Sequence, residues 1–533
     1  MISTNVYRFL CALLTIASKG KTADIMLGDD RYFFKKSIQI PSQYPTMSNT
    51  TANPSYQAAN FEQPTDLHVI VGLGKSGLSA LNYLHQRGYR VAATDGGQPS
   101  NAHALPQGVI TRFGGLDDEL LAQAVRIVIS PGIDPFLPVF DVPRKNGVPI
   151  VSDIQLFQAE CQARQIPIVA ITGSNGKSTV TTLVGQMAQD AGLAVGVGGN
   201  LGTPALDLLA QPLELAVLEL SSFQLQTVSD LGAQVATILN ISPDHLDRHG
   251  DMQHYQQAKQ RIFDGAHAAV VNRDDPASIA LTPHDIPTIS FGSDLPNHQS
   301  QSQSQPVHYG LAHDDNGEIW LVRGQTRLLH ERDLPIKGQQ NLLNALAALA
   351  LGELAGLPLA SMLTTLRQFA GLPHRCQYVG QMAGLNCYND SKGTNIGSTI
   401  AAVVGLGKVY APKGKKLAVI LGGQGKGQDF ATLAQPLADY ASVVYLIGEA
   451  AQQIGDDLQR AGLKVTTDIS RSNAADVFMV HSGTLAQAVA DAKVHAEQLA
   501  ELGVLLLSPA CASFDQFSGY SDRGEQFIAL ISA

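Results

Sequence analysis

The chain has 533 residues, more than a single hydrophobic core can organise, so two to four domains are expected. Its 44% apolar content, 50 glycines and 15% charged residues read as a soluble globular α/β composition. A net charge of −10 excludes the basic footprint of a nucleic-acid or anionic-membrane binder, so anionic ligands must be met by local Lys, Arg, Mg²⁺ or helix N-termini.

The five cysteines (Cys11, Cys161, Cys376, Cys387 and Cys511) are odd in number and form no CxxC pair, which argues against a disulfide framework or a zinc site. A reducing compartment, the cytoplasm, is expected. The longest early apolar run, Phe9 to Ala17, is too short to cross a bilayer. Residues 1–64 lack sustained periodicity and end in a polar Asn/Ser/Gln/Pro stretch; they read as an N-terminal extension without ordered structure, with Met47 as a candidate natural start.

Residues 65–153 form the first expected domain. A strand from His68 enters the turn Gly72-x-Gly74-x-x-Gly77, a helix follows with Leu78, Leu81 and Leu84 on one face, and a second strand ends at Asp95. From these residues alone the pattern is a dinucleotide fingerprint with NAD as its default ligand; another nucleotide diphosphate and a purely structural turn are the alternatives. A third strand, Val125 to Ile133, ends in a Ser-Pro-Gly turn.

The second domain, 154–371, opens on Ile166 to Thr179, IPIVAITGSNGKST, in which an apolar strand runs into a Gly-rich turn and then a helix with Val180, Leu183, Val184 and Met187 at i, i+3, i+4, i+7. Ile171 stands where the first glycine of the usual P-loop spacing would be, and Gly173 gives a shorter turn. Backbone N–H groups of Gly173, Ser174, Asn175, Gly176, Lys177, Ser178 and Thr179 would still cradle phosphate, with Lys177 reaching the terminal phosphates and Ser178 the Mg²⁺. Strands at 214–220 and 235–242 carry Glu219, Ser221 and Ser222, then Asp244, His245 and Asp247, at their carboxyl ends, where open parallel sheets bind ligands. Glu219 reads as a Mg²⁺ ligand opposite Ser178 or as a helix-cap carboxylate. His245 alone reads as a loop histidine, and Lys259 alone as a surface lysine. His298 to Pro306 is a low-complexity solvated loop. The apolar helix Gly338 to Gly356 carries Asn341 and Asn344, which either cap it or touch a nucleotide.

Past Gly371-Leu372-Pro373 the strand-helix alternation restarts, giving a third α/β domain, 372–533. Its strand ends carry Asp390, Lys392, Thr394, Asn395, Gly425, Lys426, Cys511 and Ser513; thiol catalysis by Cys511 is disfavoured because no nearby histidine accompanies it.

The segments GSNGKST, LELSSFQL, NISPDHLDRH, GLPHR, NDSKGTN, LGGQGKG and SPACASFDQF, in that order, closely resemble the Mur ligase family from about His68 to the C-terminus. SPACASFDQF and NDSKGTN favour its D-glutamate-adding branch. The resemblance implies three α/β domains: Rossmann-like, a central P-loop ATPase type with a parallel sheet, and Rossmann-like again. It implies an ATP-dependent ligase adding D-glutamate to UDP-N-acetylmuramoyl-L-alanine through an acyl phosphate, using Mg²⁺ as two ions. The first-domain loop (Gly74, Lys75, Ser76, Asp95) would then take the uridine diphosphate instead of NAD, with Asn200, Ser222 and His245 near the substrate arm. Gly96 and Gly97 replace the Thr and Arg that the family can show after this acid. Ser178 and Glu219 would hold one metal; His245 and a carbamate on Lys259 would hold the other. Asn341, Asn344, Arg375, Asp390 and Lys392 would surround ATP, and Thr394, Lys426, Ser513 and Tyr520 would bind D-glutamate. A monomer acting on small molecules, with no nucleic-acid or membrane partner, is implied. The rivals are a sister Mur ligase or folylpolyglutamate synthetase-like ligase, an NAD-dependent dehydrogenase, and a P-loop ATPase with a switching role.

Overall fold

The computed structural model describes residues 65–533 apart from 280, 296–307, 426 and 467–475, together with the backbone of 22–29 and 32–39; the side chain of residue 247 is also outside the description. The chain divides into two compact units, Met1–Phe61 and Glu62–Ala533. In the first, the strands Thr22–Asp29 and Tyr32–Gln39 pair antiparallel, where periodicity predicts no element. The remaining expectations for 1–64, Met47 among them, concern residues outside those described, as does the loop 298–306.

The second unit contains three sheets. The first is all parallel, in the spatial order Ile110–Phe113, Arg90–Asp95, Leu67–Val71, Arg126–Ile129, Ile150–Val151. Strand order reverses beside Leu67–Val71, so the turns after it and after Arg126–Ile129 flank one crevice, the place where such sheets bind ligands. Every residue of Leu67–Val71 is buried, because helices cover both faces and leave no solvent side to alternate toward.

The central sheet runs Val195–Gly199, Leu215–Glu219, Ile168–Thr172, Val235–Ile238, Ala269–Asn272, Thr288–Phe291, His308–His313, Ile319–Arg323, Thr326–His330; the first seven are parallel and the last two join antiparallel. The strand leading into the P-loop is interior, so its loop emerges between two neighbouring strand ends. On one face, Val180, Leu183, Val184 and Met187 pack with Leu342, Leu346 and Leu349 of the helix Gln339–Leu354. On the other, Ile154, Phe157 and Cys161 of the helix Asp153–Arg164 share a core with Ile70, Leu81 and Leu84 of the first domain. That shared core, and not a linker, sets the crevice of the first domain against the P-loop.

The third sheet runs Gln377–Met382, Leu385–Asn389, Leu502–Leu507, Lys416–Gly422, Ala441–Ile447, Val477–Gly483, Val465–Thr466, parallel except for its first pair. Among the described residues no helix is long and apolar enough to cross a membrane, and Cys161, Cys376 and Cys387 are free thiols.

Candidate active site

The P-loop turn is locked by its neighbours. Asn240 accepts from the Asn175 N–H at 2.8 Å and donates Nδ2 to the Asn175 carbonyl at 3.0 Å. The Ser174 hydroxyl donates to the Ser242 carbonyl at 2.9 Å and lies 2.9 Å from the Tyr255 hydroxyl. Gly176 caps the helix Lys177–Asp190 at φ 82°, and a Cβ there would stand 2.5 Å from Asn344 Oδ1. Both the left-handed backbone and the close amide require glycine. Asn344 therefore touches the loop, while Asn341 donates Nδ2 to the Lys337 carbonyl at 2.9 Å and accepts from Asn344 Nδ2 at 3.3 Å. The amide pair ties the helix start to the preceding loop and faces the phosphate turn; neither amide caps the helix, whose N-cap, Gly338, has no side-chain cap bond.

Two lysines meet at one carbonyl. Lys177 Nζ donates to the carbonyls of Gly173 at 2.8 Å and Ser174 at 2.9 Å. Lys259 Nζ donates to the same Gly173 carbonyl at 3.0 Å and to Thr172 Oγ1 at 3.2 Å. Lys259 is 2% exposed, and burial, then the charge of Lys177, pulls its ammonium far below the usual lysine range. The surface reading of this residue is overturned: its helix, Met252–Gln260, buries the face that carries Tyr255 and Lys259.

Glu219, at the end of its strand, is 2% exposed. Asn200 Nδ2 donates to its Oε1 at 2.6 Å, while the buried Oε2 has no hydrogen-bond partner. Burial pushes this carboxyl up, but the Lys177 charge and the Ser178 and Asn200 groups outweigh it and keep it below the usual range. An ionised carboxylate beside Ser178 with one oxygen unsatisfied fits a cation. Among the described residues no group of three or more His, Cys, Asp and Glu could hold a metal by itself; the donors here are a hydroxyl and one carboxylate, which suits Mg²⁺ completed by phosphate and water.

His245 takes φ 54° at the start of the one-turn helix Leu246–His249, and its ring stands edge-on to Phe223 at 4.8 Å. Ser222, 2% exposed, pairs with His249, whose Nε2 lies 2.9 Å from its hydroxyl oxygen. The i, i+4 spacing of His245 and His249 is the signal that would have found the second histidine.

The third domain reaches the P-loop through Arg375, whose Nη2 donates to Ser178 Oγ at 2.7 Å. Asp390 accepts from Ser508 Oγ at 2.7 Å and from the Cys376 N–H at 3.1 Å; burial pushes its carboxyl up to about 6 against those bonds. Arg375, Asp390, Asn341 and Asn344 line one cavity with Asn175, Gly176 and Thr179, of about 640 Å³ including its open mouth. Lys392 Nζ lies over the Tyr520 ring and donates to its hydroxyl at 3.3 Å. The Thr394 N–H donates to the Lys392 carbonyl at 2.9 Å, and buried Ser513 accepts from the Phe517 N–H at 2.8 Å through its carbonyl. Lys426 lies outside the described residues. Arg523 has no sequence signal: fully buried, it braces these loops by donating Nε to Ser391 Oγ at 2.9 Å and Nη2 to the carbonyls of Ser391 at 2.8 Å and Cys511 at 3.2 Å.

In the first domain, Gly74 and Lys75 are exposed and Ser76 is half-buried at the start of the helix Lys75–Gln86. Asp95 accepts from the Leu73 N–H at 2.7 Å and the Gly97 N–H at 2.9 Å, so it shapes the glycine turn itself. Asp153 is buried behind Ser76; burial raises its carboxyl to about 6, and the Ser76 hydroxyl is the foremost group pulling it back.

Family models match the chain in three consecutive blocks: a Mur ligase MurD-like N-terminal domain over 66–152, the Mur ligase middle domain over 171–352 and the Mur ligase glutamate ligase domain over 374–511. The chain is 55% identical to the UDP-N-acetylmuramoylalanine--D-glutamate ligase of Psychrobacter arcticus over 87% of its own length and 94% of the relative's. Its identity to the protein of that name from Acinetobacter baylyi is 53%, over 88% and 98% of the two chains. Among solved structures, the UDP-N-acetylmuramate-alanine ligase of Thermotoga maritima shares the fold at 18% identity and TM-score 0.52, over 87% of this chain and 98% of that one. A pseudomurein peptide ligase from Methanothermus fervidus does so at 20% identity and TM-score 0.50, over 84% and 97%. The chain belongs to the Mur ligase family.

Proposed function

We infer that this chain is an ATP-dependent ligase that joins D-glutamate to UDP-N-acetylmuramoyl-L-alanine, releasing ADP and phosphate, in the synthesis of peptidoglycan precursor. The observation that carries the reading is the Arg375–Ser178 bond, which sets the polar strand ends of the third domain over the phosphate loop in a chain whose close relatives bear that name. A carboxylate has no leaving group. Its oxygen attacks the γ-phosphorus of ATP, ADP departs, and the resulting acyl phosphate is attacked at its carbonyl carbon by the D-glutamate nitrogen, which loses a proton as phosphate leaves.

The chain's own groups serve each stage. Lys177, now held by two loop carbonyls, has an ammonium for the terminal phosphates; Arg375, bonded to Ser178, adds a second cation. The helix N-terminus after Gly176 and the loop N–H groups cradle the phosphates. Asn341, Asn344 and Asp390 line the cavity assigned to the nucleotide, Lys392 is assigned to ATP beside them, and Thr394, Lys426, Ser513 and Tyr520 are assigned to D-glutamate. The turn carrying Gly74, Lys75 and Ser76, braced by Asp95, holds the uridine diphosphate, and Asn200 and Ser222 border the substrate arm.

Ser178 and Glu219 would hold one Mg²⁺, and His245 and Lys259 a second; bound there, the ions would screen the substrate carboxylate from the γ-phosphate. Lys259 fits a carbamate. Burial and the Lys177 charge pull the Lys259 ammonium down, which eases loss of its proton; the amine lone pair so freed would add to the carbon of CO₂, with loss of one further N–H proton, and give an anionic oxygen ligand. The activity is assigned to a cytoplasmic monomer.

The test is ADP release with ATP, Mg²⁺ and UDP-N-acetylmuramoyl-L-alanine against D-Glu, L-Glu, L-Lys, meso-diaminopimelate or no amine. Turnover with D-Glu alone is expected. Preference for another amine would make the chain a sister ligase, and turnover without an amine would make it an ATPase.

A further inference from the structure

A single side chain ties the glycine turn of the first domain to the histidine of the second. Arg248, half-buried on the one-turn helix Leu246–His249, donates Nη2 to the Ile133 carbonyl at 2.7 Å and Nη1 to the Gly132 carbonyl at 3.2 Å. Gly132 and Ile133 sit in the turn after the strand Arg126–Ile129. That turn in turn supports the loop beginning at Gly72: the Ser130 hydroxyl donates to the Gly72 carbonyl at 2.6 Å, and a Cβ on Gly72 would stand 3.0 Å from Ile133 Cγ1. No slack exists there, since Gly72 is at φ 84° and packs directly on Ile133.

The same guanidinium lies over an aromatic ring. Its guanidinium carbon lies 5.1 Å from the centroid of the Phe223 ring, within cation–π range. Phe223 stands edge-on to His245 at 4.8 Å and stacked on His249 at 5.4 Å. His249 in turn is bonded to Ser222, the residue preceding Phe223. The contacts form a continuous line from the Gly72 loop through the Ser130 turn, the guanidinium and the Phe223 ring to the imidazole of His245. Two adjacent carbonyls facing one planar fork demand arginine; a lysine ammonium would meet one of them and would lie less well over the ring.

We propose that Arg248 is a positioning residue that makes the orientation of His245 depend on the sugar-nucleotide loop of the first domain, so that occupancy of that loop is felt at the phosphoryl-transfer site. Phe223 is the second member of the relay. The inference rests on the ligase reading, in which His245 works at the reacting centre.

The test combines calorimetric binding of UDP-N-acetylmuramoyl-L-alanine to the full chain, without ATP, with steady-state kinetics and thermal melting, for Arg248→Ala, Arg248→Lys, Phe223→Leu and the double variant Arg248→Ala/Phe223→Leu. Loss of a charge-assisted fork predicts a weakening of sugar-nucleotide Kd by about tenfold or more in Arg248→Ala, with a comparable fall in kcat, KM for ATP within about twofold, and partial recovery in Arg248→Lys. Phe223→Leu lowers kcat while leaving the Kd near wild type, and the double variant loses no more kcat than Arg248→Ala alone, because one line carries both effects. Wild-type Kd and kcat in Arg248→Ala would overturn the proposal. So would additive losses in the double variant, or losses matched by a collapse of the melting temperature, which would mark a merely structural brace. A wild-type chain with no amine-dependent ADP release would instead refute the ligase reading, whatever the variants do.

Discussion

Lys259→Met separates a chemical role from a structural one, because the geometry makes the structural cost small. The variant loses two hydrogen bonds, of 3.0 Å to the Gly173 carbonyl and 3.2 Å to Thr172 Oγ1. Neither partner is stranded: the Gly173 carbonyl keeps Lys177 Nζ at 2.8 Å, and the Thr172 hydroxyl keeps its bond to the Leu220 carbonyl at 2.7 Å. With no orphaned acceptor, the two bonds at about 1 kcal/mol each make a loss of about 2 kcal/mol, partly offset because a buried amine is replaced by an apolar side chain of similar length. Thermal melting should therefore shift by only a few degrees. If a modified Lys259 supplies an anionic ligand at the reacting centre, kcat should fall by about 100-fold or more, equivalent to about 3 kcal/mol of lost transition-state stabilisation. ADP release under saturating ATP, D-glutamate and sugar nucleotide measures this, with added short-chain carboxylates expected to restore part of the activity to Lys259→Ala, which leaves room for them. Unchanged kcat in Lys259→Met would refute the chemical role, and a fall in melting temperature large enough to unfold the chain under assay conditions would refute the structural estimate.

Arg375→Lys removes the planar group that spans from the third domain to Ser178 at 2.7 Å; KM for ATP should rise about tenfold, as loss of one charge-assisted bond predicts, and an unchanged KM in ATP-dependence curves would place Arg375 outside the phosphate site. Asp390 carries a carboxyl raised by burial to about 6, so the folded chain holds this proton more tightly than the unfolded chain does. Its contribution to stability therefore falls as pH rises through about 4 to 6 and is flat above that. Asp390→Asn should flatten this window and stabilise the chain by up to about 3 kcal/mol at pH 7 while lowering activity; melts from pH 4 to 7.5 that parallel wild type would contradict it. Lys426→Ala should raise the KM for D-glutamate far more than that for ATP, as loss of a ground-state charge partner does; equal effects on both would assign Lys426 elsewhere.

Local pattern carried the phosphate loop and its helix. The strand before Gly173, the glycine turn and the apolar stripe Val180, Leu183, Val184, Met187 are all determined by neighbours in sequence, and the structure buries each stripe residue completely. Glu219 was legible for a similar reason, since a polar residue closing an apolar strand lies at the ligand-binding edge of a parallel sheet. The far half of the central sheet was not legible. Its strands 269–272 and 288–291 have only four residues each, and the antiparallel strands 308–313, 319–323 and 326–330 depend on one another for their pairing.

What the sequence determined by itself is the set of local devices: three strand-helix alternations, two glycine turns and the order-preserving motifs that mark the Mur ligase family. Only the tertiary structure decided which side chains share an environment. Lys259 became a buried amine because Tyr255 and the P-loop close over its helix face, 86 residues from the Gly173 carbonyl it meets. Arg375 reached Ser178 across 197 residues, and Arg248 reached Gly132 across 116. Periodicity reports which face of an element is buried and strand ends report where a loop lies, but burial of a charge and the partner that satisfies it are properties of surfaces brought together by packing, which no local window contains.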